Sequence, residues 1–169
     1  HLQRRRQRQM CIRDRGYTVT LGLPALRERI SKLYGDWYNI DLNPNRVVIT
    51  VGSSGAFILS FTSLFNIGDR VGIAAPGYPS YRQILKAQDL IPVDIQTEIQ
   101  NKFQPTPEDI KKNNLNGILV ASPANPTGSM VDKETLKNLI NAAHENNVSF
   151  ISDDCLLYTS PSPRDTEVS

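Results

Sequence analysis

The strongest constraint on this chain is a repeating order of short apolar runs and amphipathic stretches between about residues 24 and 153. Arg46–Val51, Val71–Ala75, Leu90–Ile95, Gly117–Ala121 and Val148–Ser152 are β-branched or apolar runs of strand length. Between and before them lie stretches with helical spacing. Pro24 suits a first helical turn, and Leu26, Ile30, Leu33, Tyr34 and Trp37 follow it on one face. Further helices are expected at Ala56–Phe65, from about Ser80 to Ala87, at Pro107–Asn113 and at Asp132–Asn146, the last with Leu136, Leu139, Ile140 and Ala143 on one face. Strands alternating with helices point to an α/β architecture, and near-continuous apolar strands to a sheet covered on both faces. The expected fold is therefore three layers, a mainly parallel sheet with helices on both sides. Pro92 argues for an edge or irregular place for its strand.

Right-handed crossovers put the carboxyl ends of such strands on a common side, where ligands of open α/β sheets bind. Four unusual clusters fall there: Gly52 to Gly55, Pro76 to Tyr78, Asn125 to Gly128, and Asp153. Each has two readings. Gly52-Ser53-Ser54-Gly55 could offer backbone N–H groups and hydroxyls to a phosphate, or be a tight turn with Ser as helix cap. It carries neither the Lys-Ser/Thr of a Walker loop nor the spaced glycines of a dinucleotide fold. Pro76-Gly77-Tyr78-Pro79 fixes an aromatic ring that could stack on a flat ligand, or is a turn with a packing tyrosine. Asn125, between Pro123 and Pro126, could present its amide to a ligand, or the whole string Ser122–Gly128 is a rigid turn in which an Asn-Pro bond can be cis. Asp153, with Asp154 beside it, either meets a protonated ring nitrogen or caps the next segment of chain. Tyr17 reads as a loop residue, His144 as solvated, and Tyr34, Trp37 and Tyr38 as packing. None of the seven lysines ends a strand.

Composition limits the classes. At 39% hydrophobic and 21% charged, the 169 residues are too apolar for a disordered tail and too balanced for a coiled coil. The longest apolar stretch, 56–65, is far short of the ~20 residues a membrane helix needs. The formal charge of +2 hides six arginines within residues 1–15, so residues 16–154 are slightly acidic and give no electrostatic case for nucleic acid. Both cysteines, Cys11 and Cys155, sit in the end segments. Those ends, 1–15 and 155–169, lack periodicity; MCIRDR and LLYTSPSPRD resemble translated library-adapter sequence. The expectation is a non-native leader and tail around a body at 16–154, a piece of a longer protein. The competing reading of the leader is a nucleic-acid arm or an inter-domain linker.

Taken in order, the clusters resemble the class I/II aminotransferases among the fold-type-I pyridoxal-phosphate enzymes. The residues that carry the resemblance are Tyr17-Thr18, Gly22, Leu26-Arg27, Gly52–Phe57, Gly68-Asp69, Pro76–Tyr81, Ala121–Gly128 and Ser152-Asp153. The resemblance implies the N-terminal part of a large, cofactor-binding domain, an incomplete version of that transferase fold, with pyridoxal 5'-phosphate as cofactor. Gly52, Ser53 and Ser54 would form the phosphate cup, Tyr78 the stacking aromatic, Asn125 the amide for the ring's 3-oxygen and the substrate carboxylate, and Asp153 the acid paired with the ring nitrogen. Tyr17 would reach the phosphate of a neighbouring subunit, which implies a homodimer. Amino-group transfer between an amino acid and a 2-oxo acid, in the cytoplasm, is the implied activity, with no nucleic-acid, membrane or metal partner. Three departures accompany it. Leu156 stands where the family has Tyr, with Tyr158 at the wrong spacing. The Schiff-base lysine and the downstream substrate-binding arginine of the family have no counterpart here, so no catalysis is expected from the chain alone. Asp154 stands where Glu is usual. Two alternatives stay open: an aminotransferase-like effector domain of a transcription regulator, and a same-fold lyase.

Overall fold

The computed structural model describes residues 19–154. They divide into two units, one ending at Val51 and one beginning at Gly52.

The first unit is built on helix α1, Pro24–Tyr38, with proline in its first turn and Asn39 closing it in the left-handed conformation at φ 54°. Of the apolar stripe expected on α1, Leu26 is 44% and Trp37 64% exposed. The buried residue of this helix is instead Arg27. Its guanidinium donates to the carbonyls of Pro44 (2.8 Å from Nη2) and Val47 (2.9 Å from Nε) and to Asn45 Oδ1 (3.0 Å). Those acceptors lie on a 3-10 turn, Pro44–Arg46, and just after it. The strand expected at Arg46–Val51 does not form: Arg46 ends the turn and 47–51 is irregular. The Val47 carbonyl is taken by the Arg27 side chain and the Ile49 N–H donates to Leu21 O at 3.0 Å, so these two groups of the β-branched run are held by a side chain and a turn residue rather than by a strand.

The second unit is a four-stranded sheet, β1 Arg70–Ala75, β2 Ile91–Gln96, β3 Gly117–Ala121 and β4 Ser149–Asp153, in the order β2-β1-β3-β4. Every pairing is parallel. Helices α2 (Gly52–Leu64), α3 (Pro79–Ala87), α4 (Pro107–Lys112) and α5 (Lys133–Glu145) cover it. Pro92 lies in the edge strand β2, where a missing N–H is tolerated. Side chains alternate across a strand, and the alternation builds two cores. Ile118 and Val120 of β3 pack with Ile95, with Ile110 of α4 and with Leu139, Ala142 and Ala143 of α5. Leu119, between them in sequence, joins Val71 and Ile73 of β1, Phe57 and Phe61 of α2 and Leu85 of α3. These are the three layers expected. Two local details differ. Ile140 of α5 is 44% exposed, its place on the buried face taken by Ala142. Helix α2 begins at Gly52 rather than Ala56, so the glycine-serine string is the helix's opening turn and follows no strand among the described residues.

Candidate functional site

Three of the four clusters do lie at the carboxyl ends of strands. Pro76–Tyr78 leaves β1, Ser122–Gly128 leaves β3, and Asp153 is the last residue of β4. Because the sheet is parallel, these ends share one edge. Ser122 N donates to Asp153 O at 3.0 Å, continuing the β3–β4 ladder past the strand and bringing the Asn125 loop beside Asp153. Gly77, Tyr81, Gln104, Ala121 and Asn125 line one hollow at this edge.

Tyr81 links the parts. It is 5% exposed on α3, and its hydroxyl donates to the Asp153 carboxylate. Its ring stands edge-on to Tyr78, with centroids 5.4 Å apart at 78°, and edge-on to Phe57 of α2, 5.2 Å apart at 81°. Phe57 is about one helical turn beyond Ser53. The opening turn of α2, with Gly52, Ser53 and Ser54 exposed, is thereby tied to the same aromatic cluster. The first turn of a helix presents N–H groups with no acceptor four residues back, at the positive end of the helix dipole. Tyr78 is 39% exposed and Asn125 is exposed, while Asp153 is half-buried. Asp154 is exposed; partial desolvation first, and the adjacent Asp153 charge second, raise its carboxyl above the ordinary aspartate value.

The Asn125 loop is closed on itself. Ala124 N donates to Ser129 O (2.9 Å), Gly128 N to Ala124 O (2.6 Å), and Val131 N to Ser122 Oγ (3.0 Å). The Asn125–Pro126 bond is cis, as are Ala75–Pro76 and Ser122–Pro123.

The edge therefore gathers a carboxylate, a carboxamide, an aromatic ring and a helix N-terminus. That donor set fits a flat, protonated heterocycle carrying a phosphate. Tyr17 lies outside the described residues, as do Cys11, Cys155, Leu156 and Tyr158. Sequence reasoning gave no role to two side chains that the fold buries here: Tyr81, quoted only as part of the resemblance, and Gln104. Neither type advertises chemistry, and only the helical position of Tyr81, three residues after Tyr78, hinted at a shared face. A second cleft of about 300 Å³, lined by residues such as Thr106, Met130 and Thr135, holds none of the residues expected at a site; in it Lys102 Nζ lies 3.9 Å from Asp132. No helix among the described residues is long and apolar enough to cross a membrane.

The family model for aminotransferase class I and II matches residues 2–155. The chain belongs to the class I and II aminotransferase family. Among its relatives is the valine–pyruvate aminotransferase of Mycobacterium tuberculosis, 44% identical over 141 residues, covering 82% of this chain and 36% of the relative. An aspartate aminotransferase of Pyrococcus horikoshii is 35% identical over the same shares of each. A solved structure from Silicibacter pomeroyi, described as a candidate aminotransferase, superposes with a TM-score of 0.77 at 61% identity, covering 78% of this chain and 36% of that one. This aminotransferase chain thus spans little more than a third of the length of the relatives it matches.

Proposed function

We propose that this chain is the N-terminal part of the cofactor-binding domain of a pyridoxal-phosphate-dependent aminotransferase, spanning residues 16–154, and that residues 1–15 and 155–169 are foreign to it. The full-length protein transfers an amino group from an amino acid to a 2-oxo acid and works in the cytoplasm as a homodimer. The observation that carries this is the common edge at which Asp153, Asn125 and the Tyr78–Tyr81 pair converge, within a chain of this family.

When bound, pyridoxal phosphate supplies a conjugated ring that accepts the electron pair left on a substrate carbon. Asp153 keeps a proton on the ring nitrogen by accepting its hydrogen bond. Tyr81 holds that carboxylate in place. Asn125 donates to the ring's 3-oxygen and helps to hold the substrate carboxylate, and Tyr78 stacks on the ring face. Gly52, Ser53 and Ser54 meet the phosphate with backbone N–H groups and a hydroxyl at the start of α2. Tyr17 contributes to the phosphate site of a neighbouring subunit. The amino acids named for relatives differ (valine, aspartate, asparagine), and what those names share is an amino acid as donor class.

The test is a product assay on the full-length protein, the reading frame carried to the length of its relatives. The expected result is a new amino acid formed from a 2-oxo acid, lost in Asp153→Ala. Ammonia with a cleaved side chain instead would make it a lyase. No reaction from a folded protein loaded with pyridoxal phosphate would overturn the reading.

A further inference from the structure

Gln104 is 3% exposed; apart from the Tyr81 phenol, it and Arg27 are the buried polar or charged side chains among the described residues. It belongs to no helix or strand, following Lys102 and Phe103 with φ 52° and 54° and preceding the fully buried Pro105. A carboxamide withdrawn from water is costly unless its N–H groups find acceptors. Those of Gln104 do. Nε2 donates to Ala121 O at 3.1 Å, to Ser129 O at 3.3 Å and to Ser129 Oγ at 3.2 Å. Two carbonyls around one atom also set which end of the amide is nitrogen.

The positions of those acceptors give the amide its meaning. Ala121 is the last residue of β3, where the chain enters the Asn125 loop, and Ser129 lies where the chain leaves it. The hydrogen bonds within the loop close it on itself, whereas Gln104 ties its exit leg to the end of the strand. Ser129 Oγ is also 2.9 Å from Thr127 Oγ1, so the tie extends to within two residues of Asn125. Gln104 and Asn125 line the same hollow.

We infer that Gln104 is a positioning residue: its buried amide bridges the two legs of the 122–129 loop and thereby holds Asn125 at the cofactor edge. This rests on the cofactor reading above, in which Asn125 touches the ring. The consequence is a specific coupling. Gln104 contributes to cofactor binding only through Asn125, so its contribution disappears when the Asn125 amide is gone.

The experiment is a double-mutant cycle on the full-length protein, read as affinity for pyridoxal phosphate by absorbance titration. Gln104→Met keeps the volume and removes both donors. Gln104→Met and Asn125→Ala are each expected to weaken binding on the order of tenfold. The double variant should be no weaker than Asn125→Ala alone. In a Ser54→Ala background Gln104→Met should keep its whole effect, and Gly128 and Ser129 amides should exchange faster while β1 amides do not. Equal weakening by Gln104→Met with and without the Asn125 amide would overturn the inference, leaving a merely structural residue. Should Gln104→Met not fold, Gln104→His, which retains one ring N–H donor, is read in the same cycle with the same two outcomes. A folded wild-type protein that binds no pyridoxal phosphate would sink the cofactor reading and this inference together; binding weakened by Asn125→Ala but additive with Gln104→Met sinks only the inference.

Discussion

The Tyr81 hydroxyl donates to the Asp153 carboxylate across 72 residues of chain, joining the buried face of α3 to the end of β4. The bond works in two directions. It gives a buried phenol its acceptor, and it orients a carboxylate at the edge where the site residues converge. Tyr81→Phe preserves the ring contacts with Phe57 and Tyr78 and removes only the donor. The expected cost is about 1–2 kcal/mol of stability, the range for a hydrogen bond to a charged group that is only half-buried. Urea unfolding of the full-length protein measures it. Cofactor affinity should fall several-fold as well; a variant equal to wild type in both would show that Asp153 is held by other contacts.

Gly77 lies where the chain turns out of β1 toward Tyr78. A Cβ there would stand 2.3 Å from the Ala74 carbonyl oxygen, a backbone atom that cannot swing aside. At Gly72, inside β1, a Cβ would meet the methyl ends of Leu115 (2.8 Å) and Ile95 (2.9 Å), which can shift rotamer. Gly77→Ala should therefore destabilise by about 1–3 kcal/mol and exceed Gly72→Ala in denaturant titration. It should also displace Tyr78 and weaken cofactor binding, which Gly72→Ala should not. The reverse order would mean that the turn is more pliable than the core.

How much of the fold and site was legible in the sequence depends on the needs of each element. The strands at Gly117–Ala121 and Val71–Ala75 could be read because a central parallel strand is buried on both faces and shows it as unbroken apolar sequence. Val47–Val51 has the same composition and forms no strand; Val51 is 96% exposed. Composition reports that a segment could lie in a sheet, but a partner strand decides whether it does. Glycines 52 and 55 read as a turn because glycine is a poor helix former, yet in the first turn of α2 they cost little. That Asn125, Tyr78 and Asp153 would lie together at one edge was legible because they close or follow strands of a parallel sheet, whose carboxyl ends share a side. The contacts of Tyr81 and Gln104 were not legible: they depend on partners brought by the tertiary fold, Asp153 for one and Ala121 with Ser129 for the other.

The two cores make a prediction about additivity. Phe61 and Leu139 are both fully buried, but they belong to clusters on opposite faces of the sheet. Phe61→Ala should cost about 3–5 kcal/mol and Leu139→Ala about 2–5 kcal/mol. Either is a large share of the stability of an ordinary domain. With the sheet between them, the double variant should equal the sum of the singles to within about 0.5 kcal/mol. Denaturant midpoints of the three variants decide it, and strong coupling would mean that the sheet transmits the cavity from one layer to the other.

Asp132 caps α5, its carboxylate accepting from Thr135 N at 2.9 Å and Thr135 Oγ1 at 3.0 Å. The backbone bond from Thr135 first, then the side-chain bond, and more weakly the charge of Lys102, hold its carboxyl below the ordinary value of 3.8. A depressed carboxylate contributes stability that is fully present above its unfolded value and is lost as pH falls through the folded one. Asp132→Asn retains a capping oxygen but cannot titrate. At neutral pH the wild-type protein should therefore be the more stable of the two, because a negative charge at a helix N-terminus is favourable. The gap should close on acidification below about pH 4 as the carboxylate gains its proton. Urea midpoints of both proteins from pH 7 down to pH 3 test this. Curves that stay parallel throughout would show that Asp132 acts as a hydrogen-bond acceptor alone, with its charge idle.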